Sequence, residues 1–187
     1  MSDTPQLILA SRSPRRAELL SRLGLEFEII PAEIDEQYVD NEMPAAHAER
    51  LAREKAVTVA RHHPEALVIG SDTIVIIGDD LLGKPRDGAE AVRMLKRLSG
   101  REHQVYTAVA VVQRGIVHSA VEQVKVHFRS LSDVECEEYV ATGEPMDKAG
   151  AYGIQGYGSA LVSANEGDYF AVMGLPVVRT LDLLRRH

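Results

Sequence analysis

Residues 66–77 read ALVIGSDTIVII, the run richest in valine and isoleucine, and how it folds decides the architecture. Its apolar ends predict a strand, while Gly70-Ser71-Asp72-Thr73 interrupts the run with small and polar residues. Two readings follow. Asp72 is a turn or bulge residue between two short strands. Alternatively it lies inside a sheet, where a carboxylate must be paired, hydrogen-bonded or metal-bound to offset its lost hydration.

Upstream of this stretch, Gln6 to Ala10 reads as a short buried strand. Ser13-Pro14 follows as a helix N-cap with proline at the first helical position, and Gly24 is a left-handed stop. Leu25 to Pro31 is a second strand candidate, and residues 45–61 form a helix on which Ala48, Leu51, Ala52, Ala56 and Val59 recur at helical spacing. Downstream, Asp87 and Glu90 predict a capping box for a helix stopped at Gly100. Strands over 103–112 and 116–128 flank a Gln113-Arg114-Gly115 turn. Ser132 and Glu135 cap a helix ending near Gly143, and the glycine-rich segment Ala149 to Gly158 reads as loop. A last hairpin is expected from Ser159–Ala164 and Tyr169–Met173, then a helix from Pro176 through Leu184. Hairpins mixed with crossover helices predict an α/β fold with a mixed sheet.

At 187 residues and 45% hydrophobic side chains, the chain suffices for one well-buried core or two small lobes sharing a cleft. Its formal charge of −7 opposes general nucleic-acid binding, so any polyanion site must be built locally. The lone cysteine, Cys136, lies in a helical pattern and reads as packing; it excludes an internal disulfide. The N-terminus lacks the pattern of a signal peptide, and no apolar run approaches the ~18 residues of a membrane span. A soluble cytoplasmic protein is expected.

Polar groups accumulate at four places. In LILASRSPRR, residues 7–16, the Ser11 and Ser13 hydroxyls, Arg15 and Arg16 meet the N–H groups of a helix start, the composition of a phosphate site. The plain alternative is a capped helix with solvated arginines. Lys55 sits on the apolar stripe of its helix, either snorkelling outward or facing an anion in a cleft. Asp72 is the third. The fourth is the basic loop Gly83-Lys84-Pro85-Arg86-Asp87, which as plain structure is a solvated loop. With the acidic pair Asp35-Glu36, these groups suit metal-assisted chemistry on a phosphate chain, although no G-x-x-x-x-G-K-[ST] P-loop occurs.

The stretches LILASRSPRRAELLSRLG, LAREKA, GSDTIV, GKPRD, DKAGAYGIQG and VMGLP, in this order, resemble the Maf family of nucleoside triphosphate pyrophosphatases. The resemblance spans 1–187 as a single Maf-like domain. It implies an elongated mixed sheet flanked by helices, similar to the inosine triphosphatase architecture, with two lobes around a cleft. The implied reaction is hydrolysis of a nucleoside triphosphate to monophosphate and pyrophosphate with a divalent cation: magnesium, manganese or cobalt. Carried over position by position, the resemblance makes Asp72 the proton acceptor and Ser13, Arg16, Lys55 and Lys84 phosphate ligands. Glu36 and Asp72 become the metal ligands. Arg15, Thr73 and Gln155 match positions linked to substrate choice and resemble the dTTP- and UTP-preferring branch; C5-modified pyrimidine nucleotides belong to the same expectation. A glutamine amide satisfies both a donor and an acceptor of a uracil or thymine edge. The alternatives are 7-methyl-GTP as substrate and a nucleotide-sensing regulator of division or septum formation. The resemblance also implies a homodimer, while the negative net charge, the lack of an extended basic stripe and the lack of a long apolar run argue for neither nucleic-acid nor membrane partners.

Overall fold

The computed structural model describes residues 5–187. In chain order the elements are β1 (Leu7–Leu9), α1 (Pro14–Arg22), β2 (Glu28–Ile29), α2 (Pro44–Ala60), β3 (Leu67–Ile77), β4 (Asp80–Leu82) and α3 (Gly88–Leu98). They continue with β5 (Glu102–Gln113), β6 (Ile116–Phe128), α4 (Asp133–Ala141), β7 (Val162–Glu166), α5 (Tyr169–Met173) and α6 (Val177–Leu184). The strands form one mixed sheet in the order β2-β1-β3-β5-β6-β7, with β4 on β3, and the fold is mixed α/β with helices flanking the sheet. β1 pairs in parallel with β2 and β3, whereas β4 and β7 pair antiparallel with β3 and β6. Arg114 and Gly115, both at positive φ (49° and 79°), make the tight β5–β6 turn.

The chain divides into two compact units. The first comprises the residues up to Asp72, Thr107–Glu122 and Gly174–His187; the second comprises Thr73–Tyr106 and Gln123–Met173. Ile8, Leu9, Leu19, Leu20, Leu51, Val68, Ile69, Leu175 and Leu183 are buried in the first. The second is built on Val75, Leu95, Leu98, Val124, Val126, Phe128 and Leu161, with Cys136 buried beside them.

The stretch 66–77 resolves against a turn: β3 runs unbroken through Gly70, Ser71, Asp72 and Thr73. The reason is a close approach of α2. A Cβ added at Gly70 would lie 2.2 Å from the Ala52 carbonyl oxygen and 2.7 Å from the Ala56 nitrogen. Glycine opposite two alanines therefore lets helix backbone rest on strand backbone. Because strand side chains alternate, Asp72 shares a face with Gly70 and is directed to the same helix.

Three other expectations are corrected. Tyr169–Met173 is a short helix, because the Asp168 carboxylate accepts from the Phe170 N–H (2.8 Å) and its carbonyl accepts from the Ala171 N–H (3.1 Å). This local capping outweighs the strand preference of Tyr, Phe and Val. β7 pairs with β6 instead, and 156–161 forms a 3₁₀ turn. Of the segment read as loop, 149–151 is also 3₁₀. The Asp87 cap is half a capping box: Asp87 accepts from the Glu90 N–H at 2.7 Å, but the Glu90 carboxylate accepts from the Arg86 N–H. The Ser132–Glu135 box is complete.

Candidate active site

In the first unit, Lys55 lies on the buried stripe of α2 and does not snorkel to water. Its Nζ donates to Asp72 Oδ1 at 2.7 Å and to Glu36 Oε1 at 2.8 Å. The Lys55 and Asp72 side chains are 10% and 9% exposed, while Glu36 is 53% exposed. An ammonium shared by two carboxylates offsets the cost of burying Asp72 in mid-strand. Lys55 occupies this position because it falls between Ala52 and Ala56, the two residues that pack against Gly70.

Arg16, on the first turn of α1, is also buried. Its Nε donates to the Gly174 carbonyl at 2.7 Å and its NH1 to Ser11 Oγ at 3.0 Å. Burial pushes this guanidinium's pKa down, and the charges of Asp72 and Glu36 act in the opposite sense. Arg16 thus belongs to the same electrostatic cluster as the two carboxylates. Half-buried Arg15 contributes a like charge that lowers Arg16 further. Ser13 occupies the N-cap position, but the expected side-chain cap is not made. Its backbone N–H donates to Ser11 Oγ (3.2 Å), so the Ser11 oxygen serves both Ser13 and Arg16.

Sequence reasoning missed two supports of this cluster. Gly174, at φ 110°, turns its carbonyl toward Arg16 and toward the Ser71 hydroxyl, which lies 2.9 Å from it and 2.7 Å from the Ala108 carbonyl. The glycine of VMGLP was the available signal. The other support is Arg50 on α2, which forks onto both oxygens of Glu42 (2.8 Å each) and donates to the Gln37 carbonyl at 3.1 Å. It ties down the segment that carries Glu36, and nothing in the spacing announced it. Hydrogen bonding to Arg50 holds the Glu42 carboxyl down to about 2. His47, 2.9 Å from Glu42 and packed beside the Tyr38 ring, completes the clamp.

Thr73, Lys84 and Gln155 belong to the second unit. Lys84 is exposed in the loop before α3, and its neighbour Arg86 is engaged by Glu90 at 2.9 Å. Half-buried Gln155 opens the 3₁₀ turn 156–161 with extended backbone. Thr73 is half-buried on β3 directly after Asp72. The structure therefore brings Arg16, Glu36, Lys55 and Asp72 into one cluster, with Ser13 beside Arg16 through Ser11.

The donor chemistry fits a hard divalent cation. Among the described residues no group of three or more His, Cys, Asp or Glu side chains is arranged to hold a metal. Glu36 and Asp72, however, already converge on one cationic group. Two carboxylates completed by water and phosphate oxygens is the ligand set magnesium usually takes.

A buried carboxylate among cations near a helix start has the chemistry that suits a phosphate-bearing ligand. A family model described as Maf-like protein matches residues 6–187, and the chain belongs to the Maf family. It is 54% identical over 184 residues to a dTTP/UTP pyrophosphatase of Moorella thermoacetica, covering 96% of this chain and 93% of that protein. It is 50% identical to a dTTP/UTP pyrophosphatase of Vibrio cholerae over 182 residues, 97% of both. A solved HAM1 protein from Coxiella burnetii is a more distant likeness, 15% identical with a TM-score of 0.48 over 98% of this chain and 100% of that one. No helix among the described residues is long and apolar enough to cross a membrane.

Proposed function

We propose that this chain hydrolyses dTTP and UTP to the monophosphate and pyrophosphate. The observation that carries this reading is Asp72, a carboxylate in mid-strand bonded to Lys55 within the electrostatic reach of Arg16. The dTTP/UTP pyrophosphatase activity named for its relatives supports the choice of nucleotide. Water attacks the α-phosphorus, the bond to the bridging oxygen breaks, and the electron pair leaves with pyrophosphate. Asp72 takes the proton from the attacking water. Arg16, Lys55, Ser13 and Lys84 hold the triphosphate, and their positive charge and hydrogen bonds stabilise the charge that moves onto the leaving group. Glu36 and Asp72 would hold a divalent cation (magnesium, manganese or cobalt), which neutralises phosphate charge when bound. Arg15, Thr73 and Gln155 select the base, with the Gln155 amide reading the uracil or thymine edge.

The setting we propose is the cytoplasm, in keeping with a single buried thiol, and the working form a homodimer, which sedimentation tests. The deciding assay incubates purified protein with each divalent metal and a nucleotide panel that includes 7-methyl-GTP, and identifies the products. Monophosphate plus pyrophosphate, fastest from dTTP and UTP, is expected. Release of orthophosphate, a preference for 7-methyl-GTP, or binding without turnover would overturn the reading.

A further inference from the structure

Gln155 is held by a device the reaction itself does not require. The chain from Gly153 to Gly158 closes on itself: a Cβ at Gly158 would lie 2.1 Å from the Gly153 carbonyl oxygen and 2.6 Å from the Tyr139 hydroxyl. Backbone donors on both sides of Gln155 are then gathered by two side chains from outside the ring. The Gly153 N–H donates to the Tyr139 hydroxyl at 3.0 Å, and that hydroxyl donates its own proton to Glu144 Oε1 at 2.8 Å. Glu144 Oε1 also accepts from the Gly158 N–H at 3.0 Å, while Oε2 accepts from the Tyr157 N–H at 2.9 Å. Gly156, at φ 65°, leaves room for this carboxylate, since a Cβ there would come within 2.6 Å of Oε2. All of these residues belong to the second unit.

We propose that Glu144, relayed by Tyr139, is a positioning residue for base selection: it fixes the ring that carries Gln155 and so sets the pyrimidine preference. The inference rests on the reading of Gln155 given above. Its physical basis is donor–acceptor matching. Every donor aimed at Glu144 finds an oxygen, and only a carboxylate offers acceptors at both ends. In Glu144→Gln, either amide orientation sets an NH2 group against a backbone N–H, so the ring must shift. A base edge is read by paired donors and acceptors, and small displacements of the reader weaken selection more than they weaken phosphate binding.

The test measures kcat and KM for dTTP, UTP, CTP and dATP on wild type, Glu144→Gln, Tyr139→Phe and Gln155→Ala, with circular dichroism and melting of each. Glu144→Gln and Tyr139→Phe are expected to lower the ratio of kcat/KM for dTTP over dATP by about tenfold, chiefly through the KM for dTTP. The double variant Glu144→Gln/Gln155→Ala should lose no more of that ratio than Gln155→Ala alone, because both act through one amide. If Gln155→Ala collapses the ratio while folded Glu144→Gln or Tyr139→Phe keeps it, the positioning role is overturned and the reading of Gln155 stands. If Gln155→Ala itself keeps the ratio, both fall. Should Glu144→Gln not fold, Tyr139→Phe, which preserves the ring volume, decides alone. A loss shared equally by all four nucleotides also overturns the proposal.

Discussion

Asp72 is held by a strand, whereas Gln155 is held by another side chain. The first unit carries its carboxylate on the unbroken β3, pinned by the approach of α2 to Gly70, and uses opposite charges to tolerate it. The second unit carries its amide on a glycine-rich ring whose backbone donors are collected by Glu144 and Tyr139. Under the proposed roles, chemistry that moves charge falls on the more rigid element, and recognition of a neutral base on one that a few hydrogen bonds adjust. The contrast predicts that damage to the first region abolishes turnover and damage to the second changes what is turned over.

The largest effect is expected from Asp72→Asn. Removing a general base costs on the order of 10³-fold in kcat, while Lys55 keeps Glu36 as a partner. Steady-state rates on dTTP beside a melting curve check this, and a folded variant with near-normal turnover would break the contrast. Gly70→Ala comes next. The atoms its methyl would meet are backbone, which cannot swing aside, so a destabilisation of about 3 kcal/mol is expected in urea titration.

The second unit can be probed by pH. His103 is buried between Phe128 and Tyr152, its Nε2 lies 2.8 Å from the Tyr152 hydroxyl, and its Nδ1 has no hydrogen-bond partner among the described residues. Burial holds its pKa down to about 4, below the ordinary 6.5 of a solvated histidine. Between these values the unfolded chain binds a proton that the folded chain refuses. Stability from this group is therefore complete above pH 6.5 and is lost as pH falls towards 4, the loss reaching about 2 kcal/mol at pH 5. In His103→Phe that part of the slope of melting temperature against pH should vanish; an unchanged slope would assign the acid sensitivity elsewhere.

Much of this was legible in the sequence, for identifiable reasons. Pro14 and Gly24 bound α1, and periodicity placed Lys55 on the buried stripe of α2. Valine and isoleucine marked β3. What periodicity could not tell was whether GSDT broke that strand, because the answer lies in a backbone contact between Gly70 and a helix ending before it. Tyr169–Met173 misled for a related reason: strand-forming residues were overruled by the preceding Asp168. Glu144 was invisible, since beside the Tyr139 hydroxyl it collects the backbone N–H groups of Tyr157 and Gly158, which leave no mark on a pattern of side chains.

The smallest effect falls on the least legible support, Arg50. Its fork onto Glu42 and the Gln37 carbonyl restrains the segment bearing Glu36, so the residue acts on a carboxylate it does not touch. Lysine at this position keeps the charge but loses the planar fork, and cannot span both Glu42 oxygens and the carbonyl together. Arg50→Lys is therefore expected to leave the melting temperature within a few degrees. The magnesium concentration for half-maximal activity should rise about tenfold, because Glu36 spends less time beside Asp72. At saturating magnesium most of kcat should return. Assays at pH 7 lie far above the Glu42 pKa of about 2, so this carboxylate is fully ionised there and loss of its fork to Arg50 is not a Glu42 protonation effect. If activity fell equally at every magnesium concentration, Arg50 would hold the fold of the first unit rather than the position of Glu36. The charged cluster would then be rigid through β3 and α2 alone.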